Sequence, residues 1–428
     1  MPARAISDCT GAGSDLAARP RVAGAFAAFD ALRSVRIAHQ PVVPRHGAVA
    51  TAAFIVLLME AASVVLAQDS ISAWRLGSPT ASMSGFEDVR TVRELANGTV
   101  VVTSGRTAAP VVAHLERGVS SAISREGDGP GEFRQPSTIW ALLGDSSLVL
   151  DLRRWVVLIG DQPTATLRSW LAGVYPPRIR GFDRLGRVLE VKPAAYGAQP
   201  GTRVAPTHRN ATSLVALLHR RAPVASGEAV TGRPDTLVRL RGAYRGVRRI
   251  HKSLPGFSNV TYELVQDLSA DDQAVLFQDG WVAIAYADPY RVDWYDPSGR
   301  KTTGGPLPFE RVPVDLTQKR AALARSWPSD PNLFKPEDYP PWPEVLPPFL
   351  VDAILPAPDG SLLIRRTPDA YRPGTRYDIV SRQGVLVGRL LLRANEWIVG
   401  FGQASAYVIR ETADGLQFIE RYSWPPRA

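Results

Sequence analysis

Few residues in this sequence are of the types that usually carry out catalysis. The single cysteine, Cys9, lies near the start of the chain, so the rest contains no thiol for catalysis, disulfides or metal ligation. No G-x-S-x-G motif occurs, which leaves a serine-hydrolase mechanism without support. The histidines beyond residue 70 are not spaced as zinc ligands; they are His114, His208, His219 and His251. We therefore predict no metal site and assign no catalytic residue.

Oxygen ligands leave one enzymatic alternative open. Calcium binds carboxylate and amide oxygens and needs no histidine. The candidate ligands, which no spacing singles out, are Glu87, Asp88, Asn259, Asp288 and Asp352. The alternative function is a metal-dependent lactonase or lyase with Ca²⁺ as its cofactor. Two further acidic pairs, Asp271-Asp272 and Glu337-Asp338, occur in turn-like or proline-rich contexts, and we expect them to be solvated.

A proline-rich segment contains an unusual number of aromatic residues. They are Trp327, Phe334, Tyr339 and Trp342, followed by Phe349. Long loops on rigid scaffolds often bind ligands, so the first four are candidate binding residues. An equally good interpretation is that the segment folds over one face of the protein and caps it. Both interpretations remain open from the sequence.

The elements that must position these residues are short strands joined by tight turns. Glycine and proline are plentiful, at 35 and 36 residues, and long helical patterns are scarce. An apolar strand, a turn and a second apolar strand recur six times, several of them around Asn-Gly or Asp-Gly turns. The six hairpins are at residues 92–102, 140–151, 180–191, 274–285, 352–365 and 397–410.

The spacing of these hairpins predicts a six-bladed β-propeller. Most intervals between them match the ~40–50 residues of a four-stranded blade. The two long intervals require insertions, at about 196–233 and 306–348, the first with an extra strand around Leu214–His219. The last blade lacks one strand, which the N-terminal segment 71–77 could supply. Such closure would leave no open edge between the ends of the ring. Any enzymatic site would then lie at the mouth of the channel.

A glycine-rich loop follows the first hairpin at residues 125–139. It lacks the Gly-Lys-Ser/Thr ending of a phosphate-binding P-loop. We expect a turn between blades, with Phe133 buried between sheets and Glu132 capping backbone amides. The motif residues are Gly127, Gly129, Pro130, Gly131, Glu132 and Phe133, with Pro136 after them.

This motif resembles the G-x-GPGEF-x-x-P signature of bacterial six-bladed propellers related to the NHL repeat group. The resemblance extends from about Trp74 to the C-terminus, although Gly160-Asp161 stands where the family has an aromatic residue and an aspartate. It implies an exported propeller, and most members of the family have no assigned activity.

An apolar segment at residues 47–67 precedes the predicted propeller, which occupies 68–428. Arg45 precedes it and Val65-Leu66-Ala67 ends it, the pattern of a signal peptide cleaved after Ala67. Its length would also allow a transmembrane helix, although Glu60 would cost about 2–3 kcal/mol in the bilayer. Residues 1–46 are either a disordered leader or the result of a mis-assigned start. The propeller is expected to be periplasmic or secreted, or otherwise membrane-anchored by 47–67 and outside the cytoplasm.

The distribution of charge argues against a nucleic-acid partner. The net charge is +9, but arginine is scattered rather than clustered on a stripe or helix face, which argues against nucleic-acid binding. Contact with a membrane is expected only through 47–67, if that segment stays uncleaved. The sequence thus predicts a monomeric binding module for an unknown protein, peptide or glycan, without a cofactor and without enzymatic activity.

Overall fold

Short runs of valine, isoleucine and leucine pair with their neighbours in the chain and form a structure made mainly of antiparallel sheets. The computed structural model describes residues 71–151, 154–168, 178–194, 213–219, 234–242, 247–254, 257–265, 268–328 and 330–425. Within these ranges the blades of a propeller follow one another as five four-stranded sheets and one five-stranded sheet, whose fifth strand comes from the start of the described chain. The predicted six-bladed β-propeller is confirmed, and each predicted hairpin supplies the first two strands of one blade.

The described chain begins with two short strands, β1 (Ala73–Trp74) and β2 (Ala81–Phe86). Blade 1 contains β3–β6, at Val89–Glu94, Val100–Ser104, Val111–His114 and Val119–Ala122. Blade 2 contains β7–β10, at Pro136–Ala141, Ser146–Asp151, Arg154–Ile159 and Gln162–Arg168. Blade 3 contains β11–β14, at Arg178–Phe182, Val188–Pro193, Ser213–His219 and Asp235–Arg241.

A separate two-stranded sheet follows, β15 (Val247–Leu254) and β16 (Phe257–Val265). Blade 4 contains β17–β20, at Gln273–Leu276, Val282–Ala287, Tyr290–Tyr295 and Lys301–Thr303. Blade 5 contains β21–β24, at Phe349–Pro356, Leu362–Arg366, Thr375–Val380 and Leu386–Leu392. Blade 6 contains β25–β27, at Glu396–Phe401, Ser405–Glu411 and Gln417–Ser423, together with β2.

The turn at Gly280 shows why the hairpins need glycine. Its φ of 88° lies in the left-handed region that side chains disfavour. A Cβ atom there would also lie 2.2 Å from the guanidinium of Arg187, which donates to the carbonyl of Gly280. This glycine therefore both turns blade 4 and lets an arginine of blade 3 tie the two blades together.

Most of the core lies between neighbouring blades. The first strand of each blade is its innermost strand, and inner strands of successive blades contact each other around the central channel. One apolar cluster between blades 4 and 5 includes Trp294, Phe349 and Leu362. Another between blades 5 and 6 includes Tyr377, Val408 and Trp424.

The N-terminal segment closes the ring, but with a different strand from the one that the sequence pattern suggested. Ala81–Phe86 pairs antiparallel with β27 and completes blade 6. Residues 71–77 instead place Ala73–Trp74 parallel to β24, at the outer edge of blade 5. The indole of Trp74 packs against Gly388, where a Cβ would lie 2.8 Å from it. The N-terminal segment therefore adds one strand to blade 5 and one strand to blade 6.

The structure shows what the two predicted insertions contain. Ser213–His219 is the third strand of blade 3, so the strand that was interpreted as extra is a regular part of the sheet. The segment between blades 4 and 5 contains an α-helix, α1 (Leu316–Ser326), and a 3₁₀ helix at Pro336–Asp338. Asp315 caps α1, because its carboxylate accepts a hydrogen bond of 2.9 Å from the amide of Gln318.

Candidate functional site

The inner strands all begin at the same end of the channel, which we call the channel mouth. In a ring of blades, each inner strand starts where the outer strand of the preceding blade has ended, so the six starts share one face. Asp88 directly precedes β3, and Asp271 and Asp272 directly precede β17. Arg180 and Asp352 lie within β11 and β21. Charged residues from several blades therefore meet at this mouth.

Two of these acids have an unusual backbone conformation. Asp88 and Asp352 have φ values of 48° and 57°, and in the described chain no other non-glycine residue has a positive φ. Asp352 lies where the register of its inner strand to the next strand shifts, and Asp88 directly precedes an inner strand with a similar shift between Val89 and Thr91. Aspartate tolerates this conformation better than most residues, but backbone strain of this kind persists mainly at functional sites.

The side chain of Gln273 holds the bulge around Asp352 in place. Its Nε2 donates to the carbonyl of Leu350 at 2.6 Å, and its Oε1 accepts from the amide of Ala353 at 3.0 Å. Gln273 is only 4% exposed, so these bonds are largely shielded from water. The bulge consequently keeps its backbone groups bonded while the side chain of Asp352 stays 64% exposed.

Arg180 pairs with Asp352 across blades 3 and 5. Its Nη1 donates to Oδ1 of Asp352 at 2.6 Å, and the arginine side chain is 19% exposed. The neighbouring Gly181 allows β11 to approach blade 4 closely, since a Cβ there would lie 2.3 Å from the carbonyl of Leu276. The arginine is thereby held at the mouth by the packing of its own strand.

A shallow pocket opens beside this ion pair. It has enclosed room for about one water molecule. Its lining combines charged and aliphatic side chains, which are Arg180, Val191, Leu214, Asp271, Asp272, Gln273, Ala274 and Val351. Sequence reasoning missed Arg180 and Gln273, because no local motif marks them. Asp352 had been considered only as a metal ligand.

The prediction that Asp271 and Asp272 are solvated was wrong, because they are only 5% and 4% exposed. The loop before β17 turns inward, where the Asp272 carboxylate accepts from the amides of Arg241 and Ala287 at 2.9 and 3.1 Å. Burial raises the pKa of Asp272, although these two amides oppose the shift. Asp272 thus binds the ends of two strands, β14 and β18, at the mouth.

Three of the five candidate calcium ligands lie in different blades. Asp88, Asp288 and Asp352 belong to blades 1, 4 and 5, and Asn259 lies on β16. Glu87 and Asp288 lie 3.9 Å from the guanidinium groups of Arg106 and Arg241. In the ranges that the structure describes, no three histidine, cysteine, aspartate or glutamate side chains are placed to hold a metal.

The four candidate aromatic residues of the insertion contact one another in tilted and edge-on arrangements. Ring centroids are 4.9 Å apart for Trp327 and Phe334, 6.4 Å for Phe334 and Tyr339, and 5.4 Å for Tyr339 and Trp342. The indole of Trp327 donates to the Tyr339 hydroxyl at 2.6 Å. Phe334 and Tyr339 are buried, so only Trp327 and Trp342 retain appreciable exposed surface. Ligand binding by these residues stays a prediction.

The insertion is fixed beside the channel mouth. Gln318 of α1 is buried; it donates to the Asp369 carboxylate at 2.7 Å and accepts from the amide of Ala370 at 3.1 Å. An apolar cluster joins the insertion to the chain just before Asp271 and Asp352; it contains Leu268, Val314, Ala322, Leu346, Trp342 and Leu350. The insertion therefore lies at the edge of the mouth, between blades 4 and 5.

The GPGEF loop is a junction between blades 1 and 2. Phe133 is fully buried, and Glu132 accepts from the amide of Gly129 at 2.8 Å, as expected. Arg154, which sequence reasoning did not single out, donates to the carbonyls of Gly127 and Glu132 at 2.7 and 2.9 Å. Its Nε also bonds the buried Asp151 at 2.8 Å. The loop is thus held by an arginine from the blade that it leads into.

The apolar segment 47–67 and the leader before it lie outside the described residues. Among the residues that are described, no helix is both long enough and apolar enough to span a bilayer.

Fold and site together define a six-bladed β-propeller with an arginine-containing pocket at its channel mouth. No family model and no curated protein matches the chain. Similar solved structures include a luciferin-regenerating enzyme, with a TM-score of 0.38 and 12% identity over 81% of this chain and 94% of that one. Regucalcin, a calcium-binding protein from Agrobacterium tumefaciens, has a TM-score of 0.39 and 10% identity over 82% and 97%. A streptogramin B lyase has a TM-score of 0.33 and 10% identity over 80% and 84%. Similarity at this level carries no argument about function.

Proposed function

We propose that this chain is a non-enzymatic binding module that engages a protein or peptide partner at its channel mouth. The observation that carries this proposal is the Arg180–Asp352 pair, in which a strained and exposed acid meets a largely buried arginine beside a pocket. Strain of this kind has no advantage for folding, so it favours a functional role for the mouth.

The surroundings of the pocket support binding at this end of the propeller. Rigid inner strands from several blades converge there, and loops on a rigid scaffold are common binding surfaces. The insertion adds a second wall, held by buried Gln318 and by the apolar cluster that includes Leu350. The opposite end of the channel carries tight hairpin turns such as that at Gly280.

Site-specific photo-crosslinking tests which end binds the partner. A photoreactive phenylalanine analogue replaces Arg106 at the mouth, where the side chain is 72% exposed. The matched position is Leu185, which is 76% exposed in a hairpin turn at the other end. We expect crosslinked adducts in the producing cells from position 106 and none from position 185. Adducts from position 185 alone, or equally from both, would contradict the proposal.

A metal titration separates this function from the lactonase or lyase alternative. We expect that Ca²⁺ and Zn²⁺ leave the melting temperature of the purified protein unchanged. A metal that raises the melting temperature binds the folded state preferentially. Such a rise, together with hydrolysis of a lactone panel that a chelator abolishes, would favour the enzyme instead.

We also propose that the propeller is exported and belongs with the GPGEF-containing propellers that its loop at 125–139 resembles. The support is the signal-like pattern at 47–67, with small residues before Gln68. N-terminal sequencing of the mature protein tests this, and we expect Gln68 as its first residue. A membrane-bound product that keeps residues 47–67 would instead show that the segment is an anchor.

A further inference from the structure

In blades 1–5 the turns that join the first strand to the second and the third to the fourth lie at the end opposite the channel mouth, which we call the turn face. Surface turns are usually polar, and concentrated exposed apolar side chains mark an interaction surface. Most of the exposed large hydrophobic side chains of the described residues lie at this end, whereas Leu316 and Tyr371 lie at the mouth. Those of the turn face are Val119, Leu143, Ile159, Leu185, Val385 and Val387.

Two leucines at the tips of turns are the most exposed of these side chains. Leu143 is 69% exposed and Leu185 is 76% exposed. The turn around Leu185 is fixed by Asp183, whose carboxylate accepts from the amides of Leu185 and Arg187 at 3.0 and 2.8 Å. Asp183 is nearly buried and is also paired with the guanidinium of Arg187. The turn therefore presents its leucine, and not its acid, to the surroundings.

Hydrogen bonds between turns hold the turn face together. In blade 2 the amide of Gly160 donates to the carbonyl of Asp145 at 3.1 Å. This bond joins the two turns that carry Ile159 and Leu143. The carboxylate of Asp145 accepts from the amide of Ala96, in the turn of blade 1, at 2.8 Å. The aliphatic side chains thus project from turns whose backbone groups are bonded within the protein, so an apolar medium can approach them at little cost.

The charges of the turn face suit a surface of phosphate headgroups. Several of its acidic side chains are paired with arginines, which reduces their repulsion of an anionic surface. Arg117 and Arg184 are exposed beside the exposed Val119 and Leu185. Arginines next to aliphatic side chains are typical of protein surfaces that lie at the boundary of a bilayer. The paired acids are Asp183 with Arg187, Asp279 with Arg382, and Asp296 with Arg300.

The described chain starts from the side of the turn face. β1 runs parallel to β24, and the amide of Arg389 donates to the carbonyl of Ser72 at 3.0 Å. β24 begins at the turn face, directly after Val385, so its parallel neighbour also leads away from that face. The apolar segment 47–67 ends five residues before Ser72, and its last residue lies no more than about 18 Å from Ser72. The apolar segment therefore ends within reach of the turn face.

We propose that the turn face rests on a lipid bilayer, with its aliphatic side chains at the boundary between headgroups and acyl chains, and that the channel mouth points away from the membrane. Side chains of this kind enter such a boundary by about 5–10 Å. This inference goes beyond the proposed function, which assigns the mouth alone. It also goes beyond the expectation from the sequence that only 47–67 contacts a membrane.

Fluorescence quenching by lipids tests this orientation. Cys9 is the only cysteine, so Cys9→Ser allows one fluorophore to be attached at a chosen position. The fluorophore is placed in Leu185→Cys on the turn face and in the matched Leu316→Cys at the mouth, since both leucines are exposed. The protein purified from the producing cells is bound to vesicles of phosphatidylcholine and phosphatidylglycerol, some of which carry a quencher near the headgroup. We expect quenching at position 185 to be at least about threefold stronger than at position 316. Equal quenching, or stronger quenching at position 316, would overturn the inference.

A double variant, Leu143→Ser with Leu185→Ser, tests whether the aliphatic side chains contribute to binding. Sedimentation of the mature protein with the same vesicles measures it, and we expect binding at least about tenfold weaker than that of the wild type, because two aliphatic side chains no longer enter the bilayer. Leu316→Ser is the matched control and should bind as the wild type does. Unchanged binding of the double variant, or equal weakening in the control, would contradict the proposal. If the product retains 47–67, the quenching comparison gives the result on its own. Circular dichroism verifies that each variant is folded.

Size-exclusion chromatography without lipid separates a bilayer from a second copy of the chain. A wild type that elutes at twice the mass of the double variant, with no vesicle binding by either, would show that the turn face pairs with itself and would overturn the inference. The proposed function fails independently of this one. If position 106 crosslinks a partner but position 185 is not quenched, only the bilayer inference fails. If position 185 is quenched but position 106 yields no adduct, only the proposed function fails.

Discussion

Gln273 is the residue on which the shape of the Asp352 bulge depends. Its amide bonds both the carbonyl of Leu350 and the amide of Ala353. In Gln273→Ala both backbone groups lose their partner at a largely buried position, which costs about 2–4 kcal/mol of unfolding free energy. Urea denaturation followed by circular dichroism measures this loss.

Gln162→Ala is the control for that measurement. Gln162 is exposed, and among the described residues its side-chain amide donates only to the neighbouring Asp161, so we expect a change within about 0.5 kcal/mol. Similar losses in the two variants would show that Gln273 has no special role in the bulge.

Glu132 makes stability depend on pH in the acid range. The amide of Gly129, and then Arg125, lower the pKa of Glu132 from its ordinary value of 4.5. The unfolded chain therefore binds this proton more readily than the folded chain does. The stabilisation from ionised Glu132 is complete above pH 4.5 and is lost as the pH falls through the lowered pKa of the folded state.

Glu132→Gln should therefore lose less stability than the wild type between pH 4.5 and the lower pKa of the folded state. Urea denaturation at a series of pH values measures, for each protein, the slope of the unfolding free energy against pH. Glu126→Gln, an exposed residue of the same loop, makes the same change of charge and should keep the slope of the wild type. A slope unchanged in Glu132→Gln would exclude Glu132 as its source.

The strand pairs could be predicted from the sequence because residues close to one another in the chain determine them. Asn97-Gly98 and Asp279-Gly280 force tight turns, and the flanking valines and leucines form strands that both neighbouring blades cover. A hairpin of this kind depends on residues a few positions apart. All six were recognisable for that reason, and their number determined the number of blades.

Elements that depend on distant partners could not be predicted in the same way. The segment at 71–77 has strand-like residues, but only the outer edges of blades 5 and 6 decide that β1 joins one and β2 the other. Arg180 and Asp352 are 172 residues apart in the chain, and neither belongs to a motif. The burial of Asp271 and Asp272 likewise depends on loops that other strands supply.

The insertion has a small core of its own, and Phe334 is at its centre. Its ring lies between Trp327 and Tyr339 and is 3% exposed. Phe334→Ala removes both ring contacts, a loss of about 3–5 kcal/mol that the short segment cannot absorb. We expect local unfolding of the insertion, with proteolytic cleavage within 306–348 at least about tenfold faster, while the blades remain folded.

Leu316→Ala is the matched control in the same segment. Leu316 is 48% exposed on α1 and is not one of the aromatic residues that contact one another, so the cleavage rate of Leu316→Ala should stay close to that of the wild type. Digestion spread evenly over the whole chain in Phe334→Ala would instead mean that the insertion and the blades unfold together.

At the scale of the whole molecule, the two N-terminal strands make unequal contributions to the ring. β2 completes blade 6 along several residues, with Phe86 buried in the core between blades 6 and 1. β1 adds only Ala73 and Trp74 to the edge of a blade that already has four strands. Loss of β2 leaves the edge of β27 unpaired, and an open edge of this kind invites aggregation.

We therefore predict different outcomes for two shortened chains. A chain that begins at Thr80 lacks β1 and should elute as the chain with β1 does, with a modestly lower melting temperature, since it loses one edge strand and the packing of Trp74 on Gly388. A chain that begins at Asp88 lacks β2 as well, so blade 6 keeps three strands and the ring is open. It should aggregate or elute at high apparent mass in size-exclusion chromatography. Because closure requires the pairing of β2 with β27, a chain from Asp88 that elutes and melts as the longer chain does would show that the remaining blades hold the ring without it.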